Sequence, residues 1–222
     1  MTLQKLLPRL AAAGFFLFLL GATGSTASAQ NVLANPGFEA GPVGFGAPGW
    51  ITFGNGFTES ANPCIVPFAG NQLMKMFGTF NPFGVSGIFQ EFPTVPGDLW
   101  TLSAKSRHCS DDPMLGNHVL GGSGNWVVQK LAFFDAANVE IGASAVESTI
   151  LDGSYPTNTW FNNAPIIGTA PAGCVKVQAF VLYLQPGFDG GAAQIDEVSL
   201  TKVMPVPAAE TSWGHVKSLY RN

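Results

Sequence analysis

The chain has 222 residues and a net charge of −4; 46% of its residues are apolar, 18 are Phe, and only 11% are charged. Apolar content this high excludes a disordered chain. The absence of any basic cluster excludes phosphate-driven binding, so no nucleic-acid partner is expected.

Residues 1–29 read as a secretory signal peptide. Lys5 and Arg9 precede an apolar run containing Gly14-Phe15-Phe16-Leu17-Phe18-Leu19-Leu20, and Ala27-Ser28-Ala29 is a small-residue cleavage site. A membrane anchor is the second choice, because the run falls short of the roughly 20 apolar residues a spanning helix needs. No membrane span is expected after cleavage. Cutting there leaves 193 residues and takes the net charge from −4 to −6, since the leader holds two bases and no acid. The expected location is secreted or cell surface, with one domain over 30–203.

Asn31-Val32-Leu33 starts the domain as a short strand, and Asn35-Pro36-Gly37 is turn chemistry before a core anchor, Phe38. Residues 40–49 form a Gly/Pro-rich loop, 50–53 a strand, and Gly54-Asn55-Gly56 a turn. A loop over 60–69 carries Cys64. Strands follow at 72–77, 85–92 and 99–105, the last with half-buried alternation. A long loop over 106–125 is rich in Gly, Asp and Ser, and loops of that length are often functional.

Residues 126–134 are a strong strand stopped by Asp135-Ala136-Ala137-Asn138, with 139–142 as its hairpin partner. The pattern at 144–150 fits a strand or a helical turn equally. A strand opens at 158–161. The clearest long strand covers 175–184, and the closing strand covers 191–201 with Asp196 at its middle. No helix of more than two turns is expected before residue 205. The 27 Gly and 16 Pro, with about nine strands and regular turns, predict an all-β fold, a two-sheet antiparallel sandwich.

Pro205-Val206-Pro207 ends that domain. Trp213, Val216 and Tyr220 then share a helical face, so 204–222 reads as a Pro-containing linker and short amphipathic helical tail. Such a tail either packs on the domain or serves as an attachment or sorting tag. Among Cys64, Cys109 and Cys174 three pairings are open. If strands alternate in direction, Cys64 and Cys174 lie at the same end, which favours that pair and leaves Cys109 as the odd thiol.

Three stretches carry a family resemblance across residues 31–203. They are Asn35-Pro36-Gly37-Phe38-Glu39 with Gly49-Trp50, the central Pro96-Gly97-Asp98-Leu99-Trp100-Thr101-Leu102-Ser103-Ala104, and the closing Ile195-Asp196-Glu197-Val198-Ser199-Leu200. Their order and spacing resemble the galactose-binding-like jelly rolls, above all the carbohydrate-binding modules found beside xylanases and glucanases. The resemblance implies a jelly-roll sandwich and a structural Ca2+ joining the N-terminal segment to the closing strand. Its ligands would be Glu39 and Asp196, with Glu197 replacing the second acid of the usual Asp-Asp-Val. Calcium wants several hard oxygen ligands. The alternative is that both carboxylates are surface or hydrogen-bonded groups without a metal.

Sugar sites of that family lie on a concave sheet face or in end loops. The two strands that would line such a face are 126–134 and 175–184. A period of two puts Trp126 with Lys130, and Gln178 with Phe180, on outward faces. The same period sends Gln129 to the opposite side and Tyr183 to the core. Trp126, Lys130, Gln178 and Phe180 are therefore the candidate ligand-binding residues.

His108-Cys109-Ser110-Asp111-Asp112 with His118 matches no standard zinc spacing and reads as a polar loop, or as a ligand rim. No Gly-x-Ser-x-Gly elbow is present, and no serine is set beside a His and Asp partner. The carboxylates Glu91, Asp98, Glu140, Glu147, Asp152 and Asp189 fall mostly in turns or at strand edges, not as a pair flanking a cleft. A non-catalytic protein is expected. The reading is a secreted carbohydrate-binding module for a polysaccharide or surface glycan. The alternative is a structural or adhesive surface protein that uses the sandwich as a spacer.

Overall fold

The computed structural model describes residues 30–203. The expected signal peptide and helical tail lie outside the described residues. The strands are β1 (Ile51–Phe53), β2 (Asn55–Ser60), β3 (Gln72–Phe77), β4 (Gly84–Pro93), β5 (Leu99–His108), β6 (Trp126–Phe134), β7 (Val146–Asp152), β8 (Phe161–Asn162), β9 (Ile166–Thr169), β10 (Lys176–Gln185) and β11 (Ala192–Val203). One sheet has the order β1-β4-β10-β6-β7. The other has β2-β3-β11-β5-β8, with β9 also on β5, and every pairing is antiparallel. The fold is the expected all-β sandwich.

Strict alternation builds the core. In β10, Val177, Ala179, Val181 and Tyr183 are buried, while Phe180, Leu182 and Leu184 on the other face are only partly covered. The six-stranded sheet answers with Met74, Met76, Leu102, Ala193, Ile195 and Leu200. Burying such side chains contributes about 1.5–3 kcal/mol each. Tyr183 is buried whole because its hydroxyl donates to Gly191 O at 2.7 Å and takes Asn125 Nδ2 at 2.8 Å.

The segment that begins at Asn31 lies against the last strand. Val32 N donates to Leu200 O at 2.9 Å, Val198 N to Pro36 O at 3.0 Å, and Asn31 Nδ2 to Val198 O at 3.0 Å. Phe38 is fully buried, its ring 5.4 Å from that of Trp50, whose Nε1 donates to Asn35 O.

Two expectations change. Asn55-Gly56 opens β2 instead of turning the chain. The residue in the left-handed region there is Gly54, whose Cβ would sit 2.7 Å from the Ser86 backbone, so only glycine fits. Second, the disulfide joins Cys64 to Cys109, not to Cys174. The loop bearing Cys64 folds over the outer face of the six-stranded sheet to the end of β5. Cys174 instead points into the core, where burial pushes its thiol pKa up. The pairing depends on the path of the loop that carries Cys64, which strand direction alone does not fix.

Candidate functional site

The outer face of the five-stranded sheet is read as rows across the strands. One row runs Ile51, Phe89, Phe180, Lys130, Glu147; the next runs Phe53, Gly87, Leu182, Val128, Thr149; a third runs Val85, Leu184, Trp126, Asp152. Trp126, Lys130, Gln178 and Phe180 all lie on this face, as their parity requires. Gln129 and Tyr183 point inward and are fully buried.

The structure divides the four. Trp126 and Lys130 line a cleft of about 460 Å3 together with His118, Val128, Glu147, Ser148, Thr149, Leu182 and Leu184. Phe180 and Gln178 stand outside it. The Phe180 ring packs on Phe89 with centroids 4.9 Å apart. Gln178 donates to Glu91 Oε2 at 2.9 Å, and that bond, followed by Lys176, holds Glu91 below the usual carboxylate range.

His118 is the cleft residue that periodicity does not reveal as a ring partner. Its imidazole is parallel to the Trp126 indole at 3.9 Å. The cause is local: His118 opens a single 3-10 turn, His118–Leu120, and Val119 N donates to Asp152 Oδ2 at 2.6 Å. Asp152 is the cross-strand neighbour of Trp126, so one buried carboxylate fixes the turn above the indole. The turn is closed by Gly116 and Gly124, whose backbones pass so closely that a Cβ on either would fall 2.3 Å from the other's Cα. Lys130 Nζ pairs with Glu140 at 2.9 Å, leaving Glu147 and the Thr149 hydroxyl on the far rim. The cleft thus has an apolar floor, one aromatic wall and a polar rim of both charges.

The terminal junction is the second place of interest. Glu39 Oε1 accepts Asn71 N and Gln72 N, each at 2.9 Å. Asp196 Oδ2 accepts Phe68 N at 2.8 Å and Ala69 N at 3.2 Å, and its Oδ1 accepts Glu197 N at 2.7 Å. The two expected metal residues therefore grip one short loop from opposite ends of the chain. Asp196 has no solvent exposure, and burial, reinforced by the neighbouring Glu197 charge, pushes its pKa up to about 6. Glu197 Oε1 approaches the same spot beside Gly37. Phe38 and Glu197 adopt positive φ, 61° and 45°, a conformation that costs non-glycine residues energy. Asp196 is a buried carboxylate without a paired cation among the described residues, with Glu197 beside it, and carboxylate oxygens are the donors that a hard divalent ion takes.

β5 runs on through residues 106–108, which were expected to open the long loop, and His108 at its end is not free to ligate a metal. His108 Nε2 donates to Tyr155 O at 2.8 Å and its Nδ1 accepts Met114 N at 3.0 Å, so both ring nitrogens are used. Cys64, Cys109 and Asp111 cluster, but the thiols are spent in the disulfide.

Comparison with solved structures shows the jelly-roll fold. A cyclase from Fischerella sp. TAU superposes with a TM-score of 0.54 at 14% identity, over 79% of this chain and 98% of that one. The enzymatically active domain of tailspike protein 4 from bacteriophage CBA120 gives 0.52 at 13% identity over 78% of this chain, which spans about a fifth (21%) of the tailspike chain. Carbohydrate-binding modules are also among the similar structures; TmCBM61 in complex with β-1,4-galactotriose gives 0.47 at 20% identity, covering 78% and 99%. No family model and no curated protein matches the chain. Likeness at such low identity shows the fold alone, so function has to come from the site.

Proposed function

We propose that the chain is an exported, non-catalytic carbohydrate-binding module whose sugar site is the cleft on the five-stranded sheet. The observation that carries this is the His118–Trp126 ring pair over an apolar floor, open to solvent and rimmed by Lys130, Glu147 and Thr149. A sugar ring offers C–H groups to an aromatic or aliphatic surface and hydroxyls to charged and hydroxyl side chains. The cleft provides both. Among the described residues one carboxylate, Glu147, lines the cleft; of the acids near it, Glu140 is tied to Lys130 and Asp152 is consumed by the 3-10 turn, so no catalytic pair is set across it.

Glu39 and Asp196, with Glu197, hold a structural calcium in this reading. The ion neutralises the buried Asp196 carboxylate and locks the loop at 68–72 to both termini. It has no part in sugar contact.

Retention on insoluble cellulose, xylan, galactan and chitin, backed by a glycan array, tests the sugar reading. Wild type should be held on at least one glycan. Trp126→Ala should weaken binding about thirtyfold, the effect of losing an aromatic anchor of about 2 kcal/mol. No retention on any glycan would remove the proposal in favour of a structural or adhesive role.

A further inference from the structure

The outer face of the other sheet carries a groove that the sugar cleft does not use. Its central row runs Phe57, Lys75, Gln194, Arg107. Two hollows of about 180 and 290 Å3 meet there, both lined by Lys75 and Asp112. The first adds Glu59, Asn62, Asp111 and Gln194 beside the Cys64–Cys109 disulfide. The second adds Phe57, Phe77 and Phe80, whose rings form a chain with centroids 6.0 and 6.5 Å apart.

Three carboxylates, Glu59, Asp111 and Asp112, and one cation, Lys75, line the first hollow, while Arg107 ends the row outside it. Lys75 Nζ lies 3.3 Å from Asp112 Oδ2 but 3.9 Å from Glu59 Oε2, beyond hydrogen-bond reach. Glu59 Oε2 is buried and has no hydrogen-bond partner. Gln194 is 2% exposed, and its Oε1 also has none, although Arg107 is its neighbour in the register. Leaving a buried acceptor unpaired costs about 1–3 kcal/mol. A third orphan in the row, Arg107 Nε, is a donor but lines neither hollow; the two orphans at the hollows are acceptors, so a partner entering there must donate. The surplus of negative charge favours a cationic donor over a neutral one, and the three phenyl rings favour a ligand with C–H faces.

We propose that this groove binds an amine-bearing saccharide unit, with its ammonium at Glu59 and Asp112, a hydroxyl on Gln194 Oε1, and the adjoining ring on Phe57 and Phe77. The site is separate from the Trp126 cleft and stands or falls independently of it.

Calorimetric titration of the full chain with a glucosamine tetrasaccharide, its N-acetylated form and a neutral galactose tetrasaccharide tests this. The free amine should bind at least about tenfold more tightly than either of the others, and more weakly as salt rises. Glu59→Gln and Asp112→Asn should each cost about tenfold with unchanged melting temperature, and Trp126→Ala should leave this binding intact. Equal affinity for the N-acetylated or neutral sugar would overturn the proposal. So would indifference to both carboxylate substitutions, loss on Trp126→Ala, or no binding of the free amine.

Discussion

Trp126 and Gln129 stand three residues apart on one strand and serve different ends. Trp126 is half-buried beneath His118, whereas Gln129 is sealed inside with its Nε2 on Ala164 O. A period of two separates them in the sequence, and the structure keeps that separation. His118 and Glu147 were not legible in the same way, because a 3-10 turn and a neighbouring strand bring them to the cleft from elsewhere in the chain. His108 carries a pH prediction. Burial pushes its pKa below the ordinary 6.5, so the unfolded chain takes up a proton that the folded one refuses. The contribution of this ring to stability is complete above about pH 6.5 and is lost as the pH drops below it. Urea melts at pH 7, 6 and 5 should show His108→Gln losing about 1–2 kcal/mol at pH 7 yet having a shallower acid slope than wild type. Identical slopes would show that this ring does not titrate with unfolding.

At the scale of elements, the long central strands were the easiest to read. In β10 Val177, Ala179, Val181 and Tyr183 share the core face, and in β6 a period of two sets Trp126 and Lys130 opposite Gln129, although Val128 and Ala132 on the outer face are buried as well. β2, with the sequence Asn55-Gly56-Phe57-Thr58-Glu59-Ser60, reads locally as a turn and becomes a strand only through its register with β3. The disulfide shows the same limit, since its partner depends on how the loop at 61–71 crosses the sheet. That bond closes a 45-residue separation, and chain-entropy reasoning assigns it about 4 kcal/mol. The double variant Cys64→Ser, Cys109→Ser should lose stability of that order in denaturant melts, and more than Cys174→Ser. The reverse ranking would mean that the loop contributes little to the fold.

For the whole molecule, the decisive relation is that residues 31–39 and β11 close the sandwich together. Motifs at the two ends were readable from sequence, and Glu39 and Asp196 do meet across one loop. If calcium binds there, chelator should lower the melting temperature by about 5–10 °C, the shift expected of a ligand bound only to the folded state at a hundredfold excess over Kd. Added calcium should restore it, and Asp196→Asn should abolish the response. Among the described residues no helix is long and apolar enough to cross a membrane. The sheet face, not the ends, carries the functional claim. Its most direct test is an NMR titration with an oligosaccharide from whichever glycan retains the protein. Shifts are expected to concentrate on the Trp126 indole, His118, Val128 and Thr149, with residues 68–72 unmoved. Shifts confined to the terminal junction or the opposite sheet, with the Trp126 indole unmoved, would contradict it.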